Sequence, residues 1–175
     1  MVLPENCSEE AAVEFKQEFF DQGEFVIPGS GLLDQLDYQD WLQHTQNNRS
    51  EANCQTEWVP ATTFFVRRKS DQKIIGIIDI RHHIDHPFLR SYAGHIGYAI
   101  RPTERRKGYA SEMLKLGLAY AESLGLAEVM LGCHADNLGS SKTIEKNGGL
   151  LTEEKTDETG ERVLIYWIQL KRPKE

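Results

Sequence analysis

The chain has 175 residues, of which 39% are hydrophobic and 27% are charged, and its formal net charge is −7. This length and composition predict one globular domain with a substantial core. The acidic balance argues against a general nucleic-acid-binding protein, which needs a basic face. No apolar run approaches the length of a membrane span, and no apolar signal core follows Met1. We therefore expect a cytoplasmic protein without a membrane partner.

The three cysteines, Cys7, Cys54 and Cys133, lie far apart in the sequence and form no C-x-x-C pair. Their number and spacing support neither a zinc site nor a disulfide framework. We expect free thiols in a reducing compartment.

The N-terminal third is predicted to be helical. Ser8 can cap a first helix that ends at Gly23. The segment 24–34 contains a proline and two glycines and indicates a turn, which a second helix follows over 36–45. The stretch 46–57 is polar and predicts a loop.

A sheet is predicted to follow, with strands over 61–68, 74–80 and 94–100. The strand 74–80 is an almost continuous apolar run, which is typical of a strand covered on both faces. Asp79 interrupts this run near its end. A polar loop at 81–87 leads towards the third strand.

The polar loop contains His82, His83 and His86. Three histidines invite a metal-site interpretation, but the pattern His-His-x-x-His has no evident fourth ligand and no helical i, i+4 spacing. We therefore expect no metal, and these side chains either contact a substrate or are solvated.

The stretch 94–124 organises the chain, because it predicts a strand, a basic turn and then an amphipathic helix. The turn contains Arg105, Arg106 and Lys107, and Gly108 allows a ligand to approach the backbone closely. A turn that opens a helix exposes unpaired N–H groups at the positive end of the helix dipole. This order predicts an anion site, and phosphate is the usual ligand of such sites.

The turn matches neither the P-loop pattern nor the dinucleotide fingerprint G-x-G-x-x-G. After the helix we predict a strand over 128–133, parallel to the strand 94–100 through a right-handed crossover. A helix over 140–147 comes next, and an antiparallel hairpin ends with the strand 163–170. Residues 171–175 are expected to form a frayed tail.

Two linked motifs resemble the GNAT superfamily of N-acetyltransferases, over about residues 61–170. The basic turn resembles the family's pyrophosphate loop, (Arg or Gln)-x-x-Gly-x-(Gly or Ala). A second stretch is similar to the family motif Asn-x-x-(Ala or Ser)-x-x-x-Tyr-Glu-Lys-x-Gly-Phe. The matching residues are Arg105, Gly108 and Ala110 in the first motif, and Asn137, Ser140, Ile144, Glu145, Lys146 and Gly148 in the second. Within the family, the chain is similar to a branch of bacterial acetyltransferases whose substrate is undefined.

The resemblance implies a fold of the α/β (mixed α+β) class, with a twisted mixed sheet and helices on both faces. It implies a single domain over 1–175, in which an N-terminal helical region, 1–58, covers the acceptor side and 61–170 forms the acetyl-CoA-binding core. The strands that end at Ile100 and Cys133 would splay apart, and acetyl-CoA would enter between them. The residues implied to bind acetyl-CoA are Tyr98, Ile100, Arg105, Arg106, Lys107, Gly108, Ala110, Ser111, Asn137 and Ser140.

The implied reaction is direct attack of a neutral amine on the acetyl thioester, which requires a base to accept the amine proton. Among the polar residues predicted near the splay, His95 is our first candidate, because an unperturbed imidazole titrates near neutrality. A hydrogen-bonded structural role for this histidine is the alternative. Asp79 is our second candidate, because a carboxylate at the end of an apolar strand can have a raised pKa. His82 and His134 are further candidates.

The sequence departs from the family at Ile144, where many members have a tyrosine that protonates the departing CoA thiolate. Isoleucine donates no proton. Either Tyr98, Tyr109, His134 or water takes over this role, or the thiolate leaves unaided.

Two functions remain open at this point. The first is an acetyl-CoA-dependent N-acetyltransferase that acts on a primary amine of a small molecule or peptide. The second is a non-catalytic domain that binds or senses acyl-CoA, which the missing tyrosine supports. The family resemblance also implies a homodimer as the partner state. The residues do not identify the acceptor amine.

Overall fold

The computed structural model describes residues 1–170, so the tail 171–175, which we predicted to be frayed, lies outside the described residues. The helices and strands follow in the predicted order, and their bounds lie within three residues of the predicted ones. In chain order they are α1 (Glu9–Asp21), α2 (Tyr38–Asn47), β1 (Ala61–Arg67), β2 (Ile74–Arg81), β3 (Ile96–Ile100), α3 (Tyr109–Ser123), β4 (Glu128–His134), α4 (Leu138–Lys146), β5 (Leu150–Thr156) and β6 (Arg162–Gln169).

Three of the four helices begin at a side chain that caps them. Ser8 accepts a hydrogen bond from the first turn of α1, and Asp37 does the same for α2. Asn137 caps α4 in this way, and its Oδ1 lies 3.1 Å from the amide nitrogen of Ser140. Helix α3 is the exception, because the residue before it is Gly108. None of the helices within residues 1–170 is both long and apolar enough to cross a membrane.

The strands form two antiparallel sheets, in the orders β1-β2-β3 and β4-β6-β5. We had predicted that β4 runs parallel to β3 and that the two strands splay apart. Among the described residues these two strands share no ladder, and the chain just before β3 makes a single antiparallel bridge from Gly94 to Leu131. A π-helical turn at Leu89–Ala93 brings the chain against β4 at this point. The sheets therefore touch at one end of β3 and are separate at the other.

The helices cover both faces of the sheet, and this confirms the predicted fold class. Strand β2 shows the reason, because its side chains alternate between two buried layers. Ile78 and Ile80 pack in the core that includes Met113 and Leu114 of α3. Ile77 faces the other way, into the core that α1 and α2 close with aromatic side chains such as Trp41. The continuous apolar run of β2 is thus buried on both sides, as predicted.

Candidate functional site

A cavity of about 570 Å³ lies between β3 and α4. Its walls are the second half of β3, the turn that leads into α3, and the first turns of α4. Phe19, Glu24 and Pro28, which belong to α1 and the segment after it, close a fourth side. The cavity therefore joins both predicted motifs and the N-terminal region.

The N-terminus of α3 opens into this cavity without a side-chain cap. Gly108 precedes the helix with φ +85°, a left-handed conformation that favours glycine. Together with Tyr109 and Ala110 it lines the cavity. Because the first N–H groups of a helix have no intrahelical partner, they are available to a ligand here. A helix of 15 residues adds the positive end of its dipole. This geometry suits an anion.

Of the three cations predicted in the turn, two are engaged by carboxylates. Arg105 makes a bidentate pair with Glu24, with both distances 2.7 Å. Lys107 lies 3.0 Å from Glu104 and does not line the cavity. Arg106 lines the cavity and has no ion-pair partner among residues 1–170.

Two further cations line the cavity, and neither was predicted to bind the anion. Lys142 and Lys146 lie one turn apart on α4. Their i, i+4 spacing within the second motif was the sequence signal that could have predicted both side chains on one face of α4. Neither lysine has a carboxylate partner among residues 1–170, so the positive charge that faces the cavity comes from both the turn and α4.

The predicted pantetheine-side residues meet across the cavity. Ser140 at the start of α4 lies 3.0 Å from the hydroxyl of Tyr98 on β3, oxygen to oxygen. Ser111 lines the cavity too, and its Oγ accepts a hydrogen bond from Asn147 at 3.2 Å. Ile144, in contrast, is 0% exposed within the core and does not line the cavity.

His95 joins the two sheets instead of facing the cavity. It is 6% exposed. Its backbone N–H donates to the Met130 carbonyl at 2.7 Å, and its Nδ1 accepts the Met130 N–H at 2.9 Å. Burial lowers the pKa of His95 to about 4, and the nearby Arg81 acts in the same direction. A neutral ring that accepts at Nδ1 carries its proton on Nε2 and has no second basic nitrogen. This geometry favours the structural role that the sequence left open, and it speaks against His95 as the base.

Replacing His95 with asparagine is expected to remove part of the protein's acid sensitivity. The asparagine Oδ1 can accept the Met130 N–H, but asparagine does not titrate. Because burial lowers the pKa of folded His95 to about 4, the unfolded chain takes up the proton first. The stabilising contribution is therefore present above about pH 6.5 and is lost as the pH falls towards 4, with a total of about 3 kcal/mol.

Urea unfolding at about pH 7 and about pH 4.5 measures this difference. Between these two values, the variant is expected to lose about 2 kcal/mol less free energy of unfolding than the native protein. His134→Asn is the matched control, since His134 is exposed and lies outside the junction of the sheets. An unchanged pH dependence in the His95 variant would contradict this interpretation.

Asp79 lies on the opposite face of the sheet, towards α1 and α2. It is 8% exposed, pairs with Gly97 of β3 across the ladder, and accepts a hydrogen bond from Thr63 Oγ1 at 2.8 Å. Burial raises the pKa of Asp79, while Arg81, 3.9 Å away, and the Thr63 hydrogen bond oppose this rise. The backbone of Gly29 lies directly on that of Gly97, so the segment after α1 covers this part of β3. A carboxyl group of raised pKa thus lies beside β3, under the N-terminal region.

The histidines of the polar loop have separate partners. His82 Nε2 lies 2.8 Å from Thr62 Oγ1. His83 lies near Glu51 and Asp85, and His86 Nδ1 accepts the Phe88 N–H. They do not converge on a common point among the described residues.

A different group, His134, Asp157 and Glu161, does lie close together, and the sequence analysis had not grouped these residues. Asp157 Oδ1 already accepts three hydrogen bonds, two from Thr159 and one from the Glu161 N–H. His134 Nδ1 lies 3.0 Å from Glu161 Oε2. We attribute this group to the turn between β5 and β6.

A profile of the acetyltransferase (GNAT) domain matches residues 7–149. No curated protein sequence matches the chain.

Several solved structures also match the chain. A GNAT-family acetyltransferase from Bacillus anthracis is 23% identical with a TM-score of 0.51, and the match covers 61% of this chain and 65% of that chain, which is less than two thirds of its length. The dodecameric spermidine N-acetyltransferase from Vibrio cholerae is 13% identical with a TM-score of 0.63, over 93% of this chain and 90% of that one. An acetyltransferase from Salmonella typhimurium, solved with its cofactor acetyl-CoA, is 12% identical with a TM-score of 0.65, over 94% and 91%. At these identities the likeness concerns the fold.

Proposed function

Because the chain belongs to the GNAT family of acetyltransferases, we propose that it is an acetyl-CoA-dependent N-acetyltransferase that acetylates a primary amine of a small molecule or peptide. The observation that carries this proposal is the cavity between β3 and α4, with the uncapped N-terminus of α3 on its wall. A pyrophosphate is the ligand that an uncapped helix N-terminus with nearby cations suits best. Gly108 and Ala110 would border it.

The three cations without carboxylate partners would supply charge for the phosphates. They are Arg106 from the turn and Lys142 and Lys146 from α4. Arg105 would act differently from our expectation, because its pair with Glu24 and its bond to the Ile100 carbonyl, 3.1 Å long, fix the turn against the N-terminal region. Lys107 would anchor the turn through Glu104.

The arm of the cosubstrate would lie between β3 and β4. Among the described strands, β3 pairs in a ladder only with β2, so its other edge presents backbone groups to the cleft, and of these the Ile100 carbonyl already accepts from Arg105. The pantetheine amides can pair with such an edge, as a peptide pairs with a strand. The backbone from Tyr98 to Ile100 forms this edge, and Asn137 and Ser140 face it from α4.

Asp79 is the base that we propose in place of His95. Its raised pKa makes it a better proton acceptor than an ordinary carboxylate. It lies beside Gly97, on the side that α1 and α2 cover, and we infer that residues 1–58 form the acceptor side. The amine nitrogen would attack the thioester carbon while its proton passes to Asp79, directly or through one water.

A non-catalytic acyl-CoA-binding domain remains the second candidate. The specific observation in its favour is Ile144, which occupies the family's tyrosine position and is buried in the core. The two candidates share the cavity and differ only in turnover.

The test combines binding and turnover. We expect acetyl-CoA to bind in a calorimetric titration, and acetyl-pantetheine, which lacks the pyrophosphate, to bind at least about a hundredfold more weakly. Turnover with a panel of polyamines, amino acids and peptides should then fall at least about a hundredfold in Asp79→Asn with binding unchanged. No binding would refute the proposed function, and binding without turnover on any amine would favour the second candidate.

Two further expectations remain proposals. Cys7, Cys54 and Cys133 are free thiols in the described part of the chain, which supports a cytoplasmic location. Cell fractionation tests the location, and light scattering of the purified protein tests the expected homodimer.

A further inference from the structure

Two carboxylates line the cavity within residues 1–170, and they differ in how firmly they are held. Glu104 is 4% exposed and pairs with three cations, so it is a fixed part of the turn. The side chain of Glu24 is 38% exposed, and Arg105 is its only ion-pair partner in this part of the chain. A ligand that binds Arg105 in its place would therefore leave the Glu24 carboxylate free.

Arg105 is held at the cavity wall by two contacts that do not involve Glu24. Its Nε donates to the Ile100 carbonyl at 3.1 Å. Its guanidinium carbon lies 5.6 Å from the centre of the Phe19 ring, which is within the range of a cation–π contact. Ile100 and Phe19 line the cavity as well. The guanidinium would thus stay at the wall if Glu24 left it, with the N–H groups that now bind Glu24 available to another anion.

Glu24 can leave Arg105 without a change in the core. It follows Gly23, which has φ +75° just after α1. The next two residues, Phe25 and Val26, are 67% and 76% exposed, so the surroundings of Glu24 are loosely packed. Rotation of the Glu24 side chain moves its carboxylate into water. Because exposed ion pairs contribute little net stability, this rotation costs little free energy.

We propose that Glu24 is an autoinhibitory residue, whose carboxylate occupies the guanidinium of Arg105 until the phosphates of acetyl-CoA displace it. This inference rests on the proposed function and adds a regulation of the same site. A guanidinium binds carboxylate and phosphate oxygens in the same bidentate geometry, and a pyrophosphate carries more negative charge than one carboxylate. Glu24 thus lowers the affinity for the cosubstrate. Its displacement breaks the ion pair between the turn and the N-terminal region, so Arg105 fixes the turn in this way only before acetyl-CoA binds.

Glu24→Gln is expected to bind acetyl-CoA about tenfold more tightly than the native protein, because a neutral amide competes poorly for a guanidinium and does not repel phosphates. Calorimetry at about pH 7 and about 0.15 M salt measures both affinities. Glu14→Gln is the matched control. It removes the same charge from α1, where Glu14 pairs with Arg101, but neither of these two residues lines the cavity. The affinity of this control should stay within about twofold of the native value.

Two further variants separate competition for Arg105 from the charge of Glu24 alone. Glu24→Asp keeps the charge, but its side chain is shorter by a methylene and reaches Arg105 less well. We expect this variant to bind acetyl-CoA about threefold more tightly than the native protein. In Arg105→Gln there is no guanidinium to compete for, so the addition of Glu24→Gln should improve binding only about twofold. The family pattern allows glutamine at position 105, so this background is expected to fold.

The outcomes separate the two proposals. If acetyl-CoA binds the native protein and binds Glu24→Gln no more tightly, this inference is refuted and the proposed function stands. Equal gains from Glu24→Gln in the native and Arg105→Gln backgrounds would also refute it, because Glu24 would then act by its charge alone. If acetyl-CoA does not bind the native protein, the proposed function fails and takes the inference with it. If Glu24→Gln does not fold, an unchanged affinity in Glu24→Asp refutes the inference.

Discussion

Replacing Gly108 with aspartate is expected to weaken acetyl-CoA binding by about a thousandfold, or about 4 kcal/mol. The residue precedes α3 and lines the cavity, so a carboxylate there would stand beside the site that we propose for the pyrophosphate. At about 5 Å and an effective dielectric constant of about 20, each pair of like charges costs about 3 kcal/mol. Calorimetry at low ionic strength measures the effect, because salt screens it.

Gly108→Asn is the matched control, because asparagine has the same shape without the charge. Both residues tolerate the left-handed backbone better than other side chains do. An added Cβ at this position meets nothing within 4 Å, so neither variant is expected to disturb the fold. We expect the asparagine variant to lose about tenfold in affinity at most. Equal affinities in the two variants would show that no phosphate lies at this helix terminus.

Replacing Gly94 with alanine is expected to lower the free energy of unfolding by about 4 kcal/mol. Gly94 has φ +67°, and a Cβ added to it would overlap the backbone carbonyl of Met130. The added Cβ is fixed to the Gly94 backbone, and the atoms that it would meet belong to the Met130 backbone. No side-chain rotation therefore relieves the overlap. This position is the bridge between the two sheets, and its loss would also separate the walls of the cavity.

Gly23→Ala is the control for the backbone strain alone. Gly23 has φ +75° just after α1, and an added Cβ there meets nothing within 4 Å. Its variant is expected to lose about 1 kcal/mol. Urea unfolding at fixed pH compares the two, with an unchanged m value as the sign that the unfolded states are alike. Equal losses at Gly94 and Gly23 would mean that the junction of the sheets is not tightly packed.

Much of the fold followed from local patterns. Ser8 and Asn137 mark helix starts because a side-chain oxygen satisfies a first-turn N–H, an interaction that spans only three residues. The apolar run of β2 predicted burial on both faces, since each face needs its own apolar residues. The single bridge between Gly94 and Leu131 was not predicted, because the π-helical turn at Leu89–Ala93 that leads to it has no clear sequence signal.

For the candidate site too, local patterns predicted some features and only the tertiary structure decided the others. Gly108 and the basic residues beside it indicated the anion turn, but the sequence did not show which cations remain free. The carboxylate partners that decide this lie far away in the sequence. Glu24 lies 81 residues before Arg105. Glu104 binds both Lys107 and Arg68, and Arg68 lies 36 residues before Glu104.

The sequence by itself determined the family, the order of the elements and the position of the glycine-containing turn before α3, because these depend on capping, glycine placement and apolar spacing over short distances. Only the tertiary structure decided the roles of individual ionisable groups. The Nδ1 of His95 accepts the N–H of Met130, 35 residues away, and this contact favours a structural role for His95. The availability of a proton or a charge depends on burial and on partners from other elements, and the residues next to it in the chain do not specify either.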